Sequence, residues 1–322
     1  MVEELRPPIT NHQSPITNHQ SPIMGFDEYK GQNIIMKLSL ILAVHNEALF
    51  LPYLDVVLNY VNEAIIVDSS PFGPSDDDST EILEDYAIQY PFVKLSKGTY
   101  RRNDGIRDYT WDEASVNNFM IAQASGDFLF FHHADIIYDV EDLEKIRKAI
   151  DAFPDKLIFY TNYLEFMWDT YHIHLRPDSL GESAFFRPPT GYAFVVSKRA
   201  NPTWSNYPLG LQLGIGLDMT IALFCPHIRR WHFANCKPYP LKVAHACRQI
   251  ATGDLKGFDD KSAEECFNGA IREAENIRGQ GFEYCGDYPE IMKDWRPSCA
   301  DGHDEFYQNL SFYKGKLSKH FC

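Results

Sequence analysis

Hydrophobic positions in the first half of the chain fall into short runs separated by amphipathic stretches. The runs at 38–44 (LSLILAV), 64–67 and 128–131 are dense in large apolar residues and closed by polar ones, which is the pattern of strands buried on both faces. Shorter runs at 92–95 and 157–163 predict two further strands. Between them, Leu51, Leu54, Leu58 and Val61 recur at helical spacing and predict a helix over 47–60. Helices are also predicted over 80–89 with Ser79 as its cap, over 111–125 and over 142–153. Strand alternating with helix predicts an α/β fold with a mainly parallel central sheet flanked by helices.

Past about 166 the pattern changes. Segments 185–189 and 203–208 are rich in Pro and aromatics and read as loops, 193–196 reads as a short strand, and a helix is predicted over 217–224 behind Gly210, Gly214 and Gly216. Residues 250–322 are polar and poor in strands, with one good helix at 262–278. The organisation expected is one domain over 36–249, in two halves meeting near 165, followed by a helical and irregular C-terminal extension over 250–322. The first 35 residues carry a direct repeat, PITNHQS at Pro8–Ser14 and again at Pro15–Ser21. A period that short and polar cannot bury a core, so 1–35 is expected to be disordered. The repeat also reads as translated non-coding sequence, which would make Met24 or Met36 the start.

Charge narrows the function classes. Thirty basic against 45 acidic residues leave a formal net charge of −15, the opposite of a nucleic-acid footprint. No run reaches the roughly 18 apolar residues of a membrane span. The N-terminus lacks the basic-then-apolar pattern of a signal peptide. All seven cysteines lie between Cys225 and Cys322 without a CxxC spacing, so free thiols in a reducing cytoplasm are expected.

Candidate chemistry gathers where the strands stop. The segment 126–139 (GDFLFFHHADIIYD) ends an apolar run in His132, His133 and Asp135. The other two principal strands end in His45-Asn46-Glu47 and Asp68-Ser69-Ser70. In a parallel sheet these ends share one edge, where open α/β folds bind ligands. A carboxylate such as Asp68 suits the N–H of a pyrimidine base, and Glu47 suits a ribose hydroxyl or a brace for the loop. His133 with Asp135 suits a divalent cation held against a diphosphate. The alternative is a core strand with an ordinary polar cap. His245 is a candidate metal or phosphate ligand, or a structural histidine between apolar neighbours. Arg107, with Arg101 and Arg102, is placed to clamp phosphate or to sit in a solvated loop. His227 and His232, flanking Arg229-Arg230-Trp231, carry the same ambiguity.

These motifs in this order resemble glycosyltransferase family 2, whose nucleotide-sugar fold is called GT-A. LSLILAVHNE resembles the family's opening strand, AIIVDSS with SDDDST its second strand and Asp-rich loop, and DEASVNNFMIAQASGDFLFFHHAD the run into its Asp-x-Asp motif. The resemblance covers 38–140; beyond 165 it rests on Gly216-Leu217-Asp218, similar to the Glu-Asp pair that supplies the family's base. It implies an enzyme that moves a sugar, with inversion, from a nucleotide-diphosphate sugar to an acceptor hydroxyl. A UDP-sugar is the expected donor and the acceptor is unidentified: a glycan, a lipid-linked group or a protein. Asp218 would be the base, His45, Asn46, Glu47, Asp68, Ser69 and Arg107 would bind nucleotide, and His133, Asp135 and His245 would hold metal. The sequence departs from the family at His133, where the family has Asp, and at Leu217, where it has Glu. Imidazole favours Mn²⁺ over Mg²⁺. The departures also admit a nucleotide-sugar-binding protein with impaired catalysis. A nucleotidyltransferase shares the strand-edge layout but normally places a Gly-rich basic loop after the first strand, and AVHNEALF has no glycine.

Overall fold

The computed structural model describes residues 36–321 except 71–72, 99–112, 162–163, 175–192, 207–208, 214–221, 226, 253–254, 256, 259, 279, 281, 285, 287 and 293–296. The repeat at 1–35, Arg101, Arg102, Arg107, Leu217 and Asp218 therefore lie outside the described residues. The strands are β1 (Leu38–Val44), β2 (Glu63–Ser69), β3 (Val93–Gly98), β4 (Phe128–His132), β5 (Ile136–Ile137), β6 (Ile158–Tyr160) and β7 (Leu164–Met167). They continue with β8 (His172–His174), β9 (Ala193–Ser197), β10 (Pro202–Asn206), β11 (Leu209–Leu213), β12 (Ala222–Phe224), β13 (Trp231–Asn235) and β14 (Phe282–Glu283). The helices are α1 (Leu54–Leu58), α2 (Ser79–Gln89), α3 (Glu113–Gln123), α4 (Val140–Ala152), α5 (Tyr239–Thr252), α6 (Ala263–Asn276), α7 (His303–Gln308) and α8 (Leu310–Leu317).

A seven-stranded sheet runs in the order β12-β6-β9-β4-β1-β2-β3, parallel at every pairing except the two made by β9. The expected α/β architecture with a mainly parallel sheet is what the chain adopts. The apolar runs explain why: side chains along a strand alternate between faces, so a strand covered on both sides must be apolar at consecutive positions. On β4, Phe128 and Phe130 join one core with α1, α2 and α4, while Leu129 and Phe131 join another with α3. On β1, Leu40 and Leu42 face the first core and Ile41 the second; on β2, Ala64 and Ile66 face the first and Ile65 and Val67 the second. At the amino edge, Gly126 passes so close to β1 that a Cβ there would lie 2.5 Å from Ser39 Oγ. Its N–H donates to that same oxygen at 2.9 Å.

A second sheet runs β14-β8-β7-β13-β5. The chain leaves β4 in the first sheet, turns through 133–135 and enters β5 in the second. β13 then pairs antiparallel with β5, His232 opposite Ile136. The C-terminal helices close over α5 with a separate core of Tyr239, Phe267, Ala270, Phe306 and Leu317.

Several local expectations are corrected. The helix expected over 47–60 is a 3-10 turn at Leu51–Tyr53 followed by the short α1, because the end of β1 is first committed to another loop. Within segment 203–208, which reads as a loop for its Pro and aromatics, the described residues 203–206 belong to β10 and pair with β11, with Pro202 at the strand start where a missing N–H is tolerated. Within the helix expected at 217–224, the described residues Ala222–Phe224 instead form β12, pairing parallel with β6. Ser79 is not a cap: its hydroxyl accepts the N–H of Glu47 at 2.8 Å. Ser262, by contrast, makes a full capping box with Glu265 at the start of α6.

Candidate active site

Because β4, β1 and β2 are parallel neighbours with Leu42 opposite His132 and Val44 opposite Asp68, their carboxyl ends fall on one edge. The edge therefore gathers His45-Asn46-Glu47, Asp68-Ser69 and the 133–135 turn, as the strand pattern required.

Asp68 and Asn46 build one wall of this edge. Asp68 is fully buried and accepts the N–H of Ser75 at 2.9 Å, the Ser75 hydroxyl at 2.7 Å and the Thr80 hydroxyl at 2.5 Å. Here its carboxylate fastens the acidic loop. Asn46 has φ +56°, a left-handed conformation that Asn tolerates better than most residues. That turn lets its side chain donate to Asp76 Oδ1 at 2.6 Å and accept the Asp76 N–H at 2.9 Å. The backbone N–H of Asn46 donates to Ser75 Oγ and that of Ala48 to Asp77 Oδ2. Three successive side chains, Ser75, Asp76 and Asp77, are thereby zipped to the end of β1. Ser69 is buried on β2, and His45 is half-buried beyond β1.

A second cluster at this edge centres on a lysine. Lys237, two residues past β13, places Nζ 2.5 Å from Glu47 Oε1 and 3.1 Å from Asp135 Oδ2 with its side chain 5% exposed. His232 Nε2 lies 3.6 Å from Asp135 Oδ1. The backbone N–H of Phe233 donates to Asp135 O at 2.9 Å, which locks the turn to β13. Burial pushes the Asp135 carboxyl up, but Lys237 and His232 outweigh it and hold the group well below the carboxylate range. Burial pushes Glu47 up against the pull of Lys237, and Asp135 adds to the rise, leaving it at about 7. Asp135 is thus the ionised partner and Glu47 the carboxyl that takes a proton first. Glu47 Oε2 is buried with no hydrogen-bond partner among the described residues. Lys237 itself is raised, since its two carboxylates outweigh its own burial.

His133 is exposed, its ring edge-on to His232 at 6.4 Å. His245, on α5, takes a hydrogen bond from Arg248 at 3.1 Å through Nδ1. Burial, then Arg248, holds its imidazole well below the ordinary value. Asn235 accepts from Lys242 Nζ at 2.5 Å and donates to Glu165 at 3.1 Å, tying α5 to β7 and β13. Among the described residues no three His, Cys, Asp or Glu side chains are placed to hold a metal ion, so His133, Asp135 and His245 do not meet as a ligand set. Asp135, the hardest ligand of the three, already faces an ammonium and an imidazole. Lys237 is the residue that sequence reasoning missed. It sits between Cys236 and Pro238 with no periodicity, and only the β5–β13 pairing reveals what it faces.

His132, the last residue of β4, is buried with its ring 5.8 Å from both Phe130 and Tyr138, and its Nδ1 lacks a partner among the described residues. Burial, then neighbouring positive groups, pushes its imidazole from 6.5 down to about 3. The folded state keeps it neutral while the unfolded chain protonates it below 6.5. Its contribution is therefore fully present above 6.5 and is lost as pH falls toward 3. Going from pH 7 to pH 5 should cost about 2 kcal/mol through this one residue. His132→Phe, close in shape and set among aromatics, should remove that loss while changing stability at pH 7 by under about 1 kcal/mol. Urea denaturation of both proteins at the two pH values measures it.

A model of the family described as Glycosyl transferase family 2 matches residues 39–200, half of the chain. A comparison of the sequence with curated proteins finds no match. Among solved structures, the fold is similar to S. aureus TarS 1-349 in complex with UDP-GlcNAc, at 16% identity and TM-score 0.40 over 75% of this chain and 72% of that one. It is also similar to the mannosyltransferase PcManGT from Pyrobaculum calidifontis in complex with GDP-Man and Mn²⁺, at 15% identity and TM-score 0.41 over 88% and 86%. A third is glucosyl-3-phosphoglycerate synthase from Mycobacterium tuberculosis with Mn²⁺ and UDP-glucose, at 15% identity and TM-score 0.42 over 67% and 77%. With its two-faced parallel strands and polar strand ends inside the matched span, this chain belongs to glycosyl transferase family 2.

Proposed function

We propose that the chain moves a sugar from a nucleotide-diphosphate donor, a UDP-sugar in the first instance, to an acceptor hydroxyl with inversion at the anomeric carbon. The supporting observation is the single edge onto which β1, β2 and β4 deliver Glu47, Asp68 and Asp135, where the acidic loop is zipped to the end of β1 and Lys237 pairs with Glu47 and Asp135. In the reaction the acceptor oxygen forms a bond to the anomeric carbon as the bond from that carbon to the diphosphate oxygen breaks. The nucleoside diphosphate leaves with the electron pair. The hydroxyl proton passes to Asp218, the base that the family resemblance assigns. The loop held by Asp68 and Asn46 forms the platform for the nucleoside, with Ser69 and His45 at the same edge, and Arg107 keeps the nucleotide-binding role that the sequence suggests. Glu47, with one unpartnered oxygen among the described residues, suits a hydroxyl of the ribose.

An imidazole at His133 suits Mn²⁺ better than Mg²⁺. Asp135, the carboxylate expected to hold such a cation, is already paired with Lys237 and His232. A cytoplasmic setting belongs to the proposal and rests on the five free, buried cysteines among the described residues. Of the described helices, none is long and apolar enough to cross a membrane.

Thermal denaturation of the full chain with UDP-GlcNAc, UDP-glucose and GDP-mannose tests the reading. One donor at about a hundred times its Kd should raise Tm by roughly 5 °C and slowly release its nucleoside diphosphate. No shift with any donor, or pyrophosphate release from a nucleoside triphosphate, would count against it.

A further inference from the structure

We propose that Lys237 is a built-in cation that takes the place of a divalent ion, so that this chain binds a nucleoside diphosphate without metal. The proposal rests on the donor-site reading above and concerns how that site is charged.

The first ground is position. Lys237, just past β13 in the second sheet, touches Asp135, the carboxylate expected to hold a cation, at 3.1 Å, and Glu47 beside it at 2.5 Å. Its Nζ also stands 6.0 Å from the centre of the Phe50 ring. With only 5% of the side chain exposed, the ammonium is fixed in place before any ligand arrives. A divalent ion bound to Asp135 would sit beside this charge and be repelled by it. A lysine so placed supplies a point charge of the kind that phosphate sites use.

The second ground is the ligand set. His-Ala-Asp stands where the family has Asp-x-Asp, so the turn has lost one carboxylate. His245 Nδ1 is engaged by Arg248, and among the described residues no three suitable side chains converge. The third ground is the sum of charge. Glu47 and Asp135 bring two carboxylates, and the cations arranged around them include Lys237, Lys242 and Arg248. Lys237 offsets the two carboxylates at the edge that would otherwise oppose a diphosphate. Without Lys237 the same edge holds two facing carboxylates and resembles an empty acidic cation site.

Calorimetric titration of UDP and GDP into the full chain, in EDTA and in Mn²⁺, tests the inference. In the wild type the preferred nucleotide should bind with Kd values within about threefold in the two buffers. Lys237→Met should weaken binding in EDTA by at least tenfold and recover it in Mn²⁺, and should itself take up Mn²⁺ that the wild type does not. Recovery in Mn²⁺ shows that the variant is folded; Lys237→Arg, which keeps the charge, should bind in EDTA. Wild-type binding that vanishes in EDTA and returns with Mn²⁺ overturns the inference and leaves the donor-site reading standing. That arm decides even if Lys237→Met fails to fold. Undiminished binding by Lys237→Met in EDTA also overturns the inference. Failure of both nucleotides in both buffers overturns the donor-site reading and this inference together.

Discussion

Asp218→Asn is expected to lower the rate of sugar transfer by at least about a hundredfold while leaving donor affinity within about threefold. The size follows from the role: a positioned base that takes the acceptor proton contributes roughly 10²–10⁴ to the rate. Asparagine keeps the shape and a hydrogen-bonding oxygen but cannot accept that proton. The loss should therefore fall on turnover, and nucleoside diphosphate titrations should be unchanged. Single-turnover transfer with the donor identified by thermal shift separates the two quantities. Retained turnover in Asp218→Asn would assign the base to another residue. Glu47 would be next to test, since its carboxyl is raised to about 7 and keeps a buried oxygen without a partner among the described residues. The position also tests the resemblance where it is thinnest, because Leu217 replaces the family's Glu and the helix expected to follow ends as β12.

What is legible in the sequence follows from how strands are buried. A strand covered on both faces must be apolar at successive positions, so β1, β2 and β4 stand out, and a polar residue can return only where the strand leaves the core. That is why the ends at His45, Asp68 and His133 can be recognised as one edge from the residue pattern alone. Partners across the chain leave no such mark. Lys237 is a single lysine between Cys236 and Pro238, and its meeting with Glu47, 190 residues away, depends on the β5–β13 pairing. The same distance problem hides the hydroxyl of Ser79: local spacing makes it a helix cap, but the end of β1 claims it through the N–H of Glu47. The hairpin of β10 and β11 is concealed by Pro and Gly, which mark turns but also tolerate strand edges. Asp68 is legible as the end of a strand. Whether it faces out or in depends on Ser75 and Thr80, whose loop geometry no periodicity encodes.

That inward orientation leads to the second large effect, which falls on stability and binding together. Asp68→Ala removes the acceptor for the Ser75 N–H and for the Ser75 and Thr80 hydroxyls, all in a position with no exposed surface. Hydrogen bonds to a charged group are worth about 1.5–3 kcal/mol each, and donors left buried add a penalty, though the loop can relax toward water. A net loss of about 3 kcal/mol is expected, measured by urea denaturation. Because Ser75 Oγ also receives the Asn46 N–H, and Asp76 pairs with the Asn46 side chain, the loosened loop should release the end of β1 as well. Nucleoside diphosphate affinity should then fall with stability. Asp68→Asn gives the contrast. Its amide oxygen still accepts from Ser75, and its NH₂ donates to a Thr80 hydroxyl turned about its own bond, so the cost should stay near about 1 kcal/mol. If Asp68 acts only through the loop, the asparagine variant keeps both stability and nucleotide affinity. If instead the loop opens on binding and Asp68 accepts from the base, the asparagine variant stays stable but loses affinity, and the carboxylate itself is the contact.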